Sequence, residues 1–394
     1  MMIILFGGEN VKMKILFAPD SFKGTISSAH AIEMLRTTAL KFFPDAEIVE
    51  VPIGDGGEGT TEALVEVLHG KYRYVAVHDP LGREVTAKYA VINQDTAIIE
   101  MAQASGLPLL KDDERNPLLA SSYGTGEMIR DALQLGIREI YLMLGGSATN
   151  DGGIGMACAL GARFTDTNGK PVAPCGAGMA HVANIDLSGL NPRLKDARFT
   201  IMCDVKNPLL GPNGATYVYG TQKGATPEMQ RELEAGLTNL VDVIEKKASS
   251  RIRDISGTGA AGGLSITLIA FANAFIRSGI ETVLDIIQFD RLLENVDLVV
   301  TGEGRLDYQS AQGKVLYGIG NACRKKNIPV CAIAGCFGDG ADQIYDCGID
   351  VAISCTTRII SSEELLANAD TRFLAAAETL FRSLQTGIRI AGKT

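Results

Sequence analysis

KILFAPDSFKG (residues 14–24), TISSAHAIEMLRTTALKFF (25–43), AEIVEVPI (46–53), GDGGEG (54–59) and TTEALVEVLHG (60–70) set out strand, turn and helix twice in succession. KILFAP is a continuous apolar run of strand length, and residues 25–43 repeat their apolar positions at the three- and four-residue spacing of a helix. AEIVEVPI predicts a second strand and TTEALVEVLHG a second helix. This alternation is the signature of a parallel α/β sheet.

The last hundred residues resume the pattern, with strands expected at DLVVTGEGR (297–305), PVCAIAGC (329–336) and DVAISC (350–355). Between the two α/β pieces the texture changes. YRYVAVHDPLGREVTAKYAVINQDTAIIEMA (72–102) holds β-rich runs broken by DPLG and NQD turns, as in an antiparallel meander. Strands are then expected at IREIYLML (137–144) and ARFTIMCDV (197–205), and helices at 125–136, 227–248 and 263–279. The expected fold class is two α/β domains: a Rossmann-like parallel-sheet domain built from both chain ends (13–75 plus 288–394) and an inserted mixed α/β domain (76–287). Met13 opens a second plausible start, so residues 1–12 read as an N-terminal extension.

A chain of 394 residues is long for one core, which agrees with two domains. Lys plus Arg number 37 against 46 Asp plus Glu, and no basic block follows a nucleic-acid backbone, so nucleic acid is not an expected partner. The opening MMIILF is too short for a signal peptide and no stretch approaches a membrane span, so a cytoplasmic protein with no membrane partner is expected. None of the eight cysteines falls in a CxxC spacing, and the four histidines lie outside the glycine-rich motifs, which disfavours a zinc site and a histidine triad. Apolar helix faces suit core burial and a homodimer equally well.

Six loops at expected strand ends mix glycine with polar residues: APDSFKG (18–24), GDGGEGT (54–60), LGGSATNDGG (144–153), CDVKNPLLGPNGA (203–215), TGEGRLDYQSAQGK (301–314) and AGCFGDG (334–340). In parallel α/β sheets ligands sit beyond the carboxyl ends of strands. Any one loop can be a capped turn; six predict a shared site. The N–H groups of Gly145, Gly146, Gly152 and Gly153, with the Ser147 and Thr149 hydroxyls, suit an anion. Lys23, Lys223, Arg305 and Lys314 could neutralise phosphate. Asp20, Asp55, Glu58, Asp151, Asp204, Glu303 and Asp307 would repel a bare polyphosphate, so they imply a divalent cation, a hydroxyl to deprotonate, or both. Magnesium-dependent phosphoryl transfer from a nucleotide meets each need.

Other motifs fit less well. GKV (313–315) lacks the P-loop's first glycine and its Ser or Thr. GDGGEG and GTGAAG (257–262) match the spaced glycines of a dinucleotide fold, yet Asp55 and Glu58 stand where a pyrophosphate would approach. GGSAT breaks the nucleophile elbow at its last position.

The chain closely resembles the type 1 glycerate kinase family, the bacterial glycerate 2-kinases, from about Met13 to its end. The resemblance rests on APDSFKGT, VPIGDGGEGTTEAL, DPLGR, ASGLPLL, RNPLLASSYGTGE, GGSATNDGG, DLSGLNPRL, CDVKNPLLGPNGA, QKGA, GAAGG and TGEGRLDYQSAQGK. Small departures occur at Gly54, Thr221 and Thr258, none at a charged motif position. The resemblance implies ATP-dependent phosphorylation of D-glycerate at its 2-hydroxyl, giving 2-phosphoglycerate, with Mg2+ and an active site in the cleft between the domains. Alternatives are a related hydroxy acid, the 3-hydroxyl, a nicotinamide-dependent oxidoreductase, or a sensor without activity.

Within that frame Lys23, Asp55 and Asp204 are expected to be catalytic, with Asp55 or Asp204 as base or magnesium ligand. Asp204 and Asp307 are the expected metal carboxylates. Substrate or phosphate binding is expected from Asp20, Ser21, Gly56, Gly57, Glu58, Gly145, Gly146, Ser147, Asn150, Asp151, Lys223, Glu303, Asp307, Ser310 and Lys314. Arg115 and Arg305 are candidates for the substrate carboxylate, because a planar guanidinium matches it bidentately. Whether the 145–153 corner takes nucleotide phosphate or glycerate carboxylate stays open.

Overall fold

A computed structural model describes residues 12–22, 24–57, 59–358 and 361–392. The extension 1–12 therefore lies almost wholly outside the described residues, as do Lys23 and Glu58. The strands in chain order are β1 (Lys14–Pro19), β2 (Glu47–Glu50), β3 (Lys71–His78), β4 (Glu84–Ile92), β5 (Thr96–Glu100), β6 (Glu139–Met143), β7 (Arg163–Thr165), β8 (Asn184–Asp186), β9 (Arg198–Met202), β10 (Phe275–Arg277), β11 (Leu298–Leu306), β12 (Val330–Phe337) and β13 (Val351–Ser354). The chain divides into two compact units. The first comprises residues up to Asp55, Glu62–Val67 and the chain from Ile280; the second comprises Gly56–Thr61 and Leu68–Gly279.

The first unit is a five-stranded, wholly parallel sheet in the order β13-β12-β11-β1-β2. β1 and the first residues of β11 are buried on both faces, which is why KILFAP and LVV read as continuous apolar runs. Ile15, Phe17, Val300 and Ile333 face one way and meet the helices Ser28–Phe42 and Ala369–Ala391. Phe381 packs edge-on against Phe17, and Phe373 against Phe22, with ring centroids 6.3 and 5.2 Å apart. Each such buried ring contributes roughly 1.5–3 kcal/mol relative to exposure. The first helix begins at Ser28 because Ser27 holds an extended backbone and its hydroxyl accepts the His30 N–H at 3.2 Å.

The second unit is a six-stranded mixed sheet in the order β10-β9-β6-β5-β4-β3. β3, β4 and β5 form the antiparallel meander, while β5, β6, β9 and β10 run parallel. Its boundary includes residues 71–75, because β3 pairs along its whole length with β4. The expected helix over 263–279 is corrected: it covers only Ser265–Ala272, ends at Asn273 with φ 52°, and yields to β10. The helix over 227–248 spans the expected residues, opened by Thr226, whose hydroxyl accepts the Met229 N–H at 3.3 Å. Among the described residues no helix is long and apolar enough to cross a membrane.

Candidate active site

In the first unit a cavity of about 300 Å3 opens at the carboxyl ends of β1, β11 and β12. Its polar wall carries Asp20, Ser21, Asp55, Glu303, Arg305 and Lys314; Phe22, Ile26, Cys355, Leu366 and Ala369 form an apolar wall. Asp20 is placed by β1, since its N–H donates to the Gly302 carbonyl at 2.8 Å while its carboxylate accepts the Ser21 N–H at 2.7 Å.

Glu303 belongs to β11 itself and is only 6% exposed. Two glycines near it have a structural purpose: a Cβ on Gly302 of β11 would lie 2.3 Å from the Ile333 carbonyl oxygen, and one on Gly335 of β12 would lie 2.4 Å from that of Gly304. β11 and β12 can therefore approach closely on either side of this residue. Oε1 of Glu303 has no hydrogen-bond partner. Burial pushes the Glu303 carboxyl up to about 7; Ser310 and Lys314 oppose the rise, and the charges of Asp20 and Asp307 add to it.

The TGEGRLDYQSAQGK stretch leaves β11 in a self-bonded hook. Asp307 donates its N–H to the Ser310 hydroxyl at 3.1 Å, accepts the Gln309 N–H at 2.9 Å, and pairs with Arg305 Nε at 3.2 Å. The hook delivers Lys314 to the start of the helix Val315–Lys325, where Nζ donates to Gln309 Oε1 at 3.4 Å. Ser310 is fully buried; its hydroxyl accepts the Asp307 N–H and its side chain also hydrogen-bonds the Glu303 carboxyl. Arg305 keeps 65% of its side chain in solvent.

Two cavity residues escaped sequence reasoning. Arg372, with Nε buried and unpartnered, and Cys355 come from the C-terminal helix and the end of β13. Neither lies in a glycine-rich loop, and a basic residue in a helical stretch carries no spacing signal.

In the second unit the corner after β6 is held from within. The Gly152 N–H donates to the Gly262 carbonyl at 3.0 Å, and the Gly153 N–H to Asp151 at 3.1 Å, so these two donors are not available to an anion. Of the expected cradle, these two N–H groups are therefore corrected. Asp151 is likewise turned inward and fully buried, accepting from the N–H and hydroxyl of Ser122, both at 2.8 Å, and from the N–H groups of Gly153 and Gly155. Burial raises its pKa, and those donors oppose the rise.

Lys223, expected to meet phosphate, is 1% exposed and donates to the Thr149 carbonyl at 2.7 Å. Burial lowers its pKa to about 7, with the charge of Asp151 opposing. Asn150 donates to the Thr216 hydroxyl at 3.3 Å, and Ser147 is buried. Only Gly145 and Gly146 of the corner are exposed.

Arg115 pairs with Asp112 at 2.8 Å, and its Nε is buried without a partner. Gly56 takes φ +93°, where an added Cβ would come 2.9 Å from the Gly279 Cα, and its N–H donates to the Thr60 hydroxyl; Gly57 accepts the Thr60 N–H. Asp204 Oδ1 accepts the Gly279 N–H at 2.8 Å and the Ser278 hydroxyl at 3.1 Å.

Among the described residues no group of three or more His, Cys, Asp or Glu is arranged to hold a metal. Magnesium in phosphoryl-transfer sites uses one or two carboxylates, with phosphate and water supplying the rest. A hard oxygen donor fixed at the end of β9, as Asp204 is, fits that requirement. Asp307 has its charge met by Arg305.

Residues 15–385 match the model of the glycerate kinase family. A glycerate kinase of Halalkalibacterium halodurans is 42% identical over 93% of this chain and 97% of its own length. A glycerate 2-kinase of Escherichia coli K12 is 42% identical over 96% of this chain and its entire length. A crystal structure from Salmonella typhimurium LT2, of a chain put forward as glycerate kinase 2, superposes with a TM-score of 0.87 at 41% identity, covering 96% of this chain and all of that one.

Proposed function

The chain belongs to the glycerate kinase family, and on that premise we propose that it transfers the γ-phosphoryl group of ATP to the 2-hydroxyl of D-glycerate, giving 2-phosphoglycerate. The observation that carries the reading is the mixed charge of the first unit's cavity, where Arg305 and Lys314 stand with Asp20, Asp55 and Glu303. Cations there stabilise the charge spread over a transferring phosphoryl group, and carboxylates manage the proton of the attacking hydroxyl. The 2-hydroxyl is supported by the name of the Escherichia coli relative.

In this mechanism Lys314 and Lys23 bind phosphate oxygens, and Arg305 holds the substrate carboxylate through its planar fork. Asp55 orients the acceptor within the cavity. Asp204 and Asp307 are the carboxylates proposed for magnesium, which when bound would neutralise phosphate charge. The apolar wall from Phe22 to Ala369 excludes water from the transferring group, which limits wasteful hydrolysis. Dependence on ATP also implies work in the cytoplasm, where ATP is regenerated.

The test is ADP release on mixing the protein with ATP, magnesium and D-glycerate, followed by phosphorus NMR of the product. A 2-phosphoglycerate signal is expected. A 3-phosphoglycerate signal would move the assignment to the other hydroxyl, and a flat ADP trace across a panel of hydroxy acids would overturn the kinase reading.

A further inference from the structure

We propose that Glu303 is the general base that takes the proton from the acceptor hydroxyl as it attacks the γ-phosphorus. The inference rests on the kinase reading and deepens it, since the sequence pointed to Asp55 or Asp204 for this task.

Three observations converge on Glu303. First, it lies on the central strand of the parallel sheet, paired with Ala334 of β12, while the preceding Gly302 is paired with Pro19 of β1 and accepts the Asp20 N–H. A proton acceptor must be fixed to within a few tenths of an ångström, and a strand does this better than a loop. Second, its side chain lines the cavity, yet Oε1 has no hydrogen-bond partner although the residue is 6% exposed. An unsatisfied buried carboxyl oxygen is expensive, and folded proteins rarely keep one without a use. Third, the cations Arg305 and Lys314 line the same cavity as Glu303, so a phosphoryl group and an anionic acceptor can be held beside its side chain.

Three of the other carboxylates are differently engaged. Asp204 Oδ1 is occupied by the Ser278 hydroxyl and the Gly279 N–H. Asp20 accepts the N–H of its own neighbour, Ser21. Asp307 is bound to Arg305 and to the Gln309 N–H. Burial has also brought the Glu303 proton affinity close to neutrality, where a group both loses its proton before the reaction and accepts one during it.

The step balances without any further reagent. The O–H bond of the acceptor breaks and its proton passes to the Glu303 carboxylate. The hydroxyl oxygen forms its bond to the γ-phosphorus while the bond from that phosphorus to the bridging oxygen of ADP breaks, that oxygen keeping the electron pair. Once products leave, the cavity reopens to water and the Glu303 proton is lost to solvent.

The experiment compares wild type, Glu303→Gln and Glu303→Asp in the full chain with ATP, D-glycerate and saturating magnesium, over pH 5.5–9. For wild type, kcat/KM should rise with pH and level off above about 7, because the base must be ionised first. Glu303→Gln preserves shape and volume; kcat should fall about 100-fold or more, the usual contribution of a positioned base, while KM for both substrates moves less than about threefold. The rise with pH should disappear in this variant. Glu303→Asp should recover part of kcat and keep the pH dependence.

Retention of more than a tenth of kcat by Glu303→Gln, or persistence of the rise with pH, would overturn the assignment. So would recovery of its activity by excess magnesium, which would make Glu303 a metal carboxylate. Failure of the wild type to release ADP with D-glycerate would instead sink the kinase reading itself, so the two failures are separable. Circular dichroism melts of each variant report whether a lost rate is only a lost fold, and a loss of kcat at an unchanged melting temperature is the expected result.

Discussion

The ammonium of Lys223 donates to the carbonyl of Thr149 at 2.7 Å, joining points 74 residues apart with both groups out of water. The bond ties the glycine corner after β6 to the segment 221–223. Lys223→Met would leave the Thr149 carbonyl unsatisfied in the interior, at a cost of about 1–3 kcal/mol. The cost should also depend on pH. The folded-state pKa of Lys223 is lowered to about 7 from an ordinary 10.5, so between those values the unfolded chain holds a proton that the folded chain does not. Wild type therefore gains stability from this group as pH rises from 7 to about 10, and Lys223→Met does not. Urea melts of both proteins at pH 7 and pH 9.5 should show the difference widening at the higher pH.

Asp151→Asn should be more damaging than its small size change suggests. The carboxylate takes four donors, two of them from Ser122, and an amide can present an oxygen to only some of them. The remaining donors would face an NH2 group in a fully buried place, a loss of about 3 kcal/mol or more. A drop in urea midpoint is expected. Unchanged stability with lost substrate affinity would instead return Asp151 to the ligand-facing role expected from sequence.

Glu245 couples the long helix Pro227–Ala248 to the segment after it. Burial pushes its carboxyl up, but the Arg253 side chain and the N–H groups of Arg253 and Ile252 outweigh this and hold it at about 2. A lowered folded-state pKa means that the stabilisation is present above about 4.5 and is lost as pH falls toward 2. Glu245→Gln should flatten the acid side of the stability profile across that window, as followed by thermal melts. A wild-type profile that did not change on substitution would contradict it.

Lys314→Met should weaken ATP binding. The ammonium lines the cavity, donates to Gln309 at a long 3.4 Å and interacts electrostatically with Glu303, so it stands where an anion can be met. Loss of one charge-assisted contact is worth about 1.5–3 kcal/mol, or roughly 10- to 100-fold in affinity. The expected signature is a raised KM for ATP with KM for glycerate little changed.

The strands of the first unit were legible because a strand buried on both faces writes itself as an apolar run: KILFAP and LVV need no partner to be recognised. Their order, β13-β12-β11-β1-β2, was not, since pairing joins residues far apart in sequence. β10 was misread because FANAFIRSG spaces its apolar residues as a helix would, while the left-handed turn at Asn273 that ends the helix depends on one backbone angle. The site divides in the same way. Glu303, Arg305 and Lys314 lie in one strand-end segment and meet at one cavity. Asp151 and Lys223 have the same residue types and the same glycine-rich setting, yet they face inward. What differs is the partner: Asp151 takes the Ser122, Gly153 and Gly155 donors and Lys223 the Thr149 carbonyl, whereas Glu303 lines a cavity with one oxygen unpartnered, and sequence spacing does not encode partners. Arg372 and Cys355 reach the cavity only because the C-terminal helix and β13 return to the first unit's sheet.

That return has a consequence for how the chain is made. β1 pairs with β11, so Ala18 waits for Thr301, 283 residues later. The second unit is nearly contiguous, from Leu68 to Gly279, and can emerge from the ribosome and fold while the first has β1, β2, the helix Ser28–Phe42 and the helical residues Glu62–Val67. Synthesis of the last hundred residues takes roughly 5–20 s at about 5–20 residues per second, and until its end Phe17 lacks Phe381 of the C-terminal helix. The nascent protein is thus a finished middle carrying an unfinished beginning, and its exposure to aggregation and to chaperones is concentrated in the interval before β11 leaves the exit tunnel.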